Sequence, residues 1–455
     1  MSESVEKQSA LLVVTLTSFS TPFMLSSINI ALPVIGNEFN LAADVLSWVA
    51  TSYLLASAIF LLPFGKLADM YGRKKIYTYG VVFYTIFCTL LSLCNSGSAL
   101  IGLRFFQGIG SAMIFSTGVA ILTSIFPAQE RGKVLGINVA SVYLGLSFGP
   151  FLGGLLTENF GWRSIFLTNI PMGLLILYLL RTRLKGEWAS ARGERFDWLG
   201  AIIYGTSLVA VIYGFSLLPS LTGTVLIGLG SLGTIAFVQW EKRSKSPMLD
   251  IRLFHNPVFA LSNLAALINY SATFAVSFLL SLYLQYVKEL SPQQAGLVLV
   301  AQPIVQTFFS PIAGRMSDTV EPRLVASAGM TSTALGLLFF TSLTATTSLA
   351  FIIFCLVFLG FGFALFSSPN TNAIMSSIDR QFYGVASATM ATMRLVGQVL
   401  SMGIATLVFV LYVGRIEITP DSYPSFLAGI KTIFMIFTTL CFVGIFASLA
   451  RGKVR

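Results

Sequence analysis

The chain reads as an all-α integral membrane protein of fourteen transmembrane helices, and three observations say so. Hydrophobic residues make up 55% of its 455 residues and charged residues only 10%; a water-soluble fold needs more polar cover than that. Fourteen mostly apolar stretches are each long enough to cross about 30 Å of hydrocarbon as a helix of roughly 20 residues, the form that satisfies its own backbone groups. Lys and Arg alternate between dense and sparse from one intervening loop to the next.

Taken in order, six helices are expected over 9–34, 46–66, 75–95, 98–124, 134–156 and 163–182. The first run is too long for a secretory signal and lacks a small-residue cleavage site. A polar stretch, RTRLKGEWASARGERFD, follows at 181–197. Helices seven and eight fall at 197–218 and 221–240, split near Pro219. The remaining six fall at 257–286, 293–314, 323–344, 348–370, 382–413 and 425–450; the ninth and thirteenth are long enough that they must tilt or project.

With both termini inside, 22 Lys and Arg residues fall in inner segments and four in outer ones: Arg163, Lys288, Arg415 and Lys431. Arg104 and Arg394 remain inside helices. That bias predicts cytoplasmic termini in a cell membrane. It also accounts for the net charge of +10 without a nucleic-acid surface, because the basic residues do not gather on one face. The four cysteines lie in apolar runs without metal spacing, and His255 is the one histidine, so no metal or cofactor site is expected.

The polar stretch divides the chain into an N-terminal six-helix bundle (1–182), a linker with an inserted helix pair (183–256) and a C-terminal six-helix bundle (257–455). The halves echo each other. GKLADMYGRKK (65–75) follows the second helix and GRMSDTVEPR (314–323) the tenth, each with Gly, a basic residue, and Asp four positions after the Gly. Transporters built from such repeats bind substrate near the midplane, between halves that rock.

With these strings stand NIALPVI (29–35), RFFQGIG (104–110), GLSFGPFLGG (145–154), GWRSIFLTNIPMG (161–173), FDWLGA (196–201), PMLDIRLF (247–254), SPQQAGL (291–297), NAIMSSID (372–379) and GVASATMATMRLVGQ (384–398). As a set, nearly end to end, the chain resembles the major facilitator superfamily and, within it, the fourteen-helix drug:proton antiporter branch. The resemblance implies the major facilitator fold and efflux of small drug-like molecules by a functional monomer, with protons as the coupled partner.

The same resemblance implies that Asp69, Gly72, Arg73 and Arg131 form a latch between the halves at the inner face. The plainer reading is a loop cap with topology charges. It gives Arg104 a part in proton transfer, where the alternative is an arginine bonded to backbone carbonyls of the first helix. It makes Gly145, Gly149, Pro150 and Gly153 the antiporter motif, a small-residue stripe broken by a proline kink. From position alone, Arg394 is the most costly charge in the chain. Gln107, Asn263, Tyr270, Phe274, Gln302, Gln306 and Gln398 are further candidates for a substrate cavity, although polar residues also hold helices together.

One departure matters. The branch carries an Asp shortly before NxALP, and Met24 stands there in PFMLSSINIALP. Every Asp and Glu falls in a loop or at a helix end, leaving Asp44 and Glu38 as the proton sites that can be named. A positive cavity without a carboxylate should disfavour organic cations. A uniporter or exchanger for organic anions or neutral solutes is therefore the second hypothesis. A membrane enzyme finds no nucleophile–base set, and an ATP-driven pump finds no GxxxxGK[ST] string.

Overall fold

The computed structural model describes residues 3–189, 191, 193–244, 246–378 and 383–452; the side chains of 3, 4, 128, 129, 131–133, 318, 383 and 384 lie outside that description. Among the described residues, fourteen helices are long and apolar enough to cross a membrane. They are α1 (Val5–Phe39), α2 (Ala43–Tyr71), α3 (Arg73–Ser92), α4 (Gly97–Ile125), α5 (Val134–Phe160), α6 (Arg163–Arg183), α7 (Trp198–Leu217), α8 (Leu221–Glu241), α9 (Pro257–Val287), α10 (Pro292–Ser317), α11 (Pro322–Phe340), α12 (Leu349–Ser376), α13 (Val385–Tyr412) and α14 (Pro420–Ala450). An even number of crossings puts both chain ends on one face, called here the terminal face.

Several starts are written locally. Asn256 caps α9 by accepting from the Val258 N–H at 2.9 Å, with Pro257 in the first turn, where its missing N–H costs nothing. Ser291 and Gln294 form a reciprocal capping box at the start of α10,. Two long spans are broken: α9 near its middle, between Thr273 and Ala275, and α10 about a third of the way along, between Leu299 and Ala301. At the α9 break the Ala275 N–H donates to the Ser401 hydroxyl of α13 at 3.0 Å, so a backbone group freed by the break is satisfied in the apolar layer.

Packing is dictated largely by glycine. The pairs α1–α5, α2–α4 and α3–α4 recur as α9–α13, α10–α12 and α11–α12. A Cβ on Gly108 of α4 would lie 2.3 Å from the Tyr53 carbonyl of α2, and one on Gly360 of α12 would lie 2.4 Å from the Gln302 carbonyl of α10. Bilayer helices gain little from the hydrophobic effect against one another, and close backbone approach supplies the dispersion energy instead.

Helix α7 packs against both α2 and α13. In α7, the Tyr204 hydroxyl donates to the Ala58 carbonyl of α2 at 3.0 Å, and Tyr213 packs edge-on against Trp48. Phe215 of α7 sits beside Gly403 of α13. The linker is not a free tether. Glu187 accepts from the Lys74 and Lys75 backbone N–H groups at 2.9 and 3.2 Å and so caps α3. The Arg73 N–H donates to the Trp188 carbonyl, and the Ala191 N–H to the Asp69 carbonyl.

Candidate functional site

Polar side chains meet where the first six helices face the last six. Tyr143 of α5 and Ser367 of α12 share a hydrogen bond of 2.8 Å, and Ser147 of α5 and Thr307 of α10 one of 3.1 Å. Arg394 of α13 is half-buried, its guanidinium carbon 6.0 Å from the Phe115 ring centroid on α4, at the edge of cation–π range. Nine residues separate it from the start of α13, which puts it about 14 Å along the helix and near mid-depth. Tyr270 of α9 and Arg394 both lie within electrostatic reach of Tyr143. Tyr270 packs edge-on against Phe363 at 5.6 Å. Phe274, Gln302 and Gln398 are half-buried, and Gln306 is buried. The structure thus brings Tyr270, Gln306 and Arg394 to one seam, together with Tyr143, Ser147, Thr307, Ser367 and Phe115, which sequence reasoning missed. Tyr143 sits two residues before the glycine stripe, on a different side of the helix, and only the partner helix reveals its role.

Two expected cavity residues are sealed away. Asn263 is fully buried and donates to the Phe259 carbonyl of its own helix at 2.9 Å. Gln107 is fully buried and donates to Cys88 Sγ at 3.1 Å. It also accepts from Arg104, itself 0% exposed. The Arg104 guanidinium lies 4.3 Å over the Tyr53 ring, and Nε donates to the Val49 carbonyl of α2 at 3.1 Å. Arg104 therefore faces no aqueous path in this structure. Its carbonyl partner is on α2 rather than α1, because α4 packs on α2. Nη2 is left without a partner.

The Asp69 turn is held by the linker and by α4. Gly72 adopts φ +119°, a region side chains avoid, and Glu187 occupies the space a Cβ would take. Arg73 pairs with Asp69 at 2.7 Å and donates to the Ala120 carbonyl and Ser124 hydroxyl of α4 at 3.2 and 2.6 Å. These contacts tie α2, α3 and α4 within the first six helices rather than to the opposite set. Arg131 lies outside the described side chains. Nearby, Lys66 pairs with Glu194 at 2.6 Å; that bond, with one from Ser246, holds the Glu194 carboxyl below the usual glutamate range.

The glycine stripe packs against α1. A Cβ on Gly145, Gly149 or Gly153 would strike Phe19, Ser26 or Ser27 of α1, so the stripe faces the same set of six. The tight contact across the seam is next to it. A Cβ on Gly296 of α10 would lie 2.2 Å from the Pro150 carbonyl, and one on Gly154 would lie 2.5 Å from the Pro292 carbonyl.

Away from the terminal face the seam is laced shut. Tyr286 donates to Asn37 at 3.1 Å, Gln285 to the Ile30 carbonyl at 2.8 Å, and Ser291 to Glu158 at 2.6 Å. Asp44 of α2 lies 3.7 Å from Arg415 of the α13–α14 loop. Glu38, by contrast, pairs with Arg163 at 2.7 Å inside the first six helices.

This architecture, a polar seam between two repeating sets of helices, defines a membrane transporter, and comparison with known proteins agrees. A family model described as Major Facilitator Superfamily matches residues 14–240 and 262–454. The riboflavin transporter RibZ of Clostridioides difficile is 33% identical over 86% of this chain and 85% of its own length. The multidrug resistance protein Stp of Mycobacterium tuberculosis is 32% identical over 83% and 71%. The cephamycin export protein CmcT of Amycolatopsis lactamdurans is 31% identical over 88% and 84%. A solved bacterial homologue of the human lysosomal transporter Spinster shares the fold, with a TM-score of 0.68 over 98% of this chain and 97% of that one at 16% identity. The chain belongs to the major facilitator superfamily: it is a multi-pass membrane transporter of small molecules and not an enzyme, and its fourteen helices are consistent with the multidrug-type branch.

Proposed function

We propose that this transporter exports amphipathic, drug-like compounds across the cell membrane by alternating access, driven by proton influx, as a functional monomer. In this reading 1–182 and 257–455 rock about the seam, 183–256 carries the inserted pair, and the terminal face is cytoplasmic. The observation that carries it is the mid-depth cluster of Arg394, Tyr143, Tyr270, Gln306 and Phe115, which offers aromatic faces and hydrogen-bonding groups to a bulky cargo. Relatives named for riboflavin transport, multidrug resistance and cephamycin export support a cavity of broad tolerance. Among the described residues, the hydrogen bonds that cross the seam opposite the terminal face support a state closed on that side. The Asp69–Arg73 turn would set the stiffness of α2–α4 during rocking, and Pro150–Gly296 would be a pivot.

A second reading, exchange of organic anions or neutral solutes without protons, is favoured by one observation. Every Asp or Glu inside a described span lies within two residues of its end, so no carboxylate stands beside Arg394. Transport into proteoliposomes with and without an imposed pH gradient separates the two. Uptake that follows the gradient supports antiport; uptake indifferent to it overturns the proton-coupled reading and leaves exchange.

A further inference from the structure

On the terminal face a cleft of about 310 Å³ opens between the start of α3 and the linker, lined by Lys74, Lys75, Thr78, Tyr79, Lys185 and Gly186, with Glu187 at its back. Three features set its chemistry. Its lining holds three lysines and one carboxylate, and behind it Glu6 is taken up by the Lys185 and Gly186 backbone N–H groups at 3.3 and 3.0 Å. Both Glu187 oxygens are already occupied by the Lys74 and Lys75 backbone N–H groups. Lys74 Nζ donates to the Leu184 carbonyl, which turns that ammonium into the cleft wall, whereas Lys75 and Lys185 are exposed.

Its position selects the occupant. On α3 the exposed residues Tyr79, Val82, Ile86 and Leu90 form one stripe at helical spacing, and Lys75 continues it by one turn toward the terminal face. On α6 the exposed Leu174, Leu175 and Tyr178 run toward Arg181 in the same way. Exposed apolar stripes on spanning helices face lipid tails, tyrosines at their ends mark the headgroup level, and lysines just beyond meet phosphate. We propose that the Lys74–Lys75–Lys185 cleft binds the phosphate headgroup of an anionic phospholipid from the leaflet on the terminal side. The acyl chains lie along the α3 stripe. Because its walls are the first turn of α3 and the linker segment that caps it, an occupied cleft braces the Asp69–Gly72–Arg73 turn.

The test uses the full-length protein in detergent, with thermal unfolding read against added dioleoyl-phosphatidylglycerol, dioleoyl-phosphatidylcholine, or inorganic phosphate with glycerol 3-phosphate. Phosphatidylglycerol should raise the midpoint saturably, and phosphatidylcholine should not. The K75Q/K185Q variant should need roughly tenfold or more phosphatidylglycerol for the same shift, while K75R/K185R should respond like the wild type. A K242Q/R243Q variant, with the same charge lost elsewhere on that face, should be unaffected. Equal weakening in both Gln variants, or no lipid response at all, would overturn the proposal. So would an equal shift with the soluble phosphates, which would make the cleft a site for free anions.

Discussion

Arg394 and Arg104 are both arginines within apolar helices, and the structure separates their chemistry. Arg394 is half-buried at the seam near Tyr143 and Phe115; Arg104 is sealed and bonded to Val49 and Gln107. An arginine near mid-depth costs about 2.5–3.5 kcal/mol on insertion scales, so a chain that keeps one there needs a polar cavity or a partner. Arg394→Gln should therefore weaken transport of neutral or anionic compounds in proteoliposomes, and the wild type should handle lipophilic dications poorly. Strong pH-driven export of a permanent dication would refute this. Arg104→Met should instead act on stability. It leaves Gln107 Oε1 without the Arg104 donor, at about 1–3 kcal/mol for that buried group, and should lower the unfolding midpoint whether or not substrate is present. The two arginines could be found from sequence because charge inside an apolar run stands out. Which of them faces the seam could not, because that depends on the helices packed around each one.

At the scale of the element, the glycines of α5 and α10 do different jobs. Gly149→Leu places a side chain where Ser26 already stands, with its Cβ 2.4 Å from the Ser26 Cβ. It should prevent α1–α5 packing and abolish stable protein, as seen by size-exclusion profile. Gly296→Leu meets the Pro150 carbonyl across the seam. It should leave each set of six folded but hold the seam apart, so protein remains while transport fails. Equal loss of folded protein from both would show that the seam is as essential to folding as the α1–α5 contact. Asp69→Asn removes the charge that Arg73 pairs with and should cut transport at unchanged expression; normal transport would reduce the turn to a cap. The linker belongs to this scale too. Glu194 is held below the ordinary glutamate range by Lys66, so its contribution is present above that range and fades as pH falls through the lowered value. Cleavage of the 183–197 segment by a protease active at acid pH should accelerate as pH falls below the ordinary glutamate range, and K66Q should weaken that dependence.

For the whole molecule, the hydrogen bonds that close the seam opposite the terminal face predict which side admits water. Single cysteines in a Cys-free background, at Ser116 on α4 and at Ile30 on α1, which is 1% exposed, should differ: a membrane-impermeant thiol reagent added on the terminal side should reach Ser116, and Ile30 should be protected from reagent added on the other side. Reagent applied to the other side of intact cells and reacting at Trp188 or Arg183 positions would contradict cytoplasmic placement of the terminal face. Removing the lacing, as in Asp44→Asn with Glu158→Gln, should raise labelling at Ile30 from that other side.

Fourteen helices, the polar linker, the echo of GKLADMYGRKK in GRMSDTVEPR and the family all follow from local pattern. Hydrocarbon thickness dictates span length, and glycine, proline and charge mark their positions without reference to any partner. The tertiary structure alone decided direction. It turned Gly145, Gly149 and Gly153 toward α1, closed Gln107 and Asn263 inside their own sets of helices, and laid the linker on the Asp69 turn. It also brought Tyr143 from α5 to Ser367 on α12, far apart in sequence. A helix has a continuous surface, and which stripe of it becomes interior is settled by the neighbours that pack there, through close-approach energies summed over many contacts.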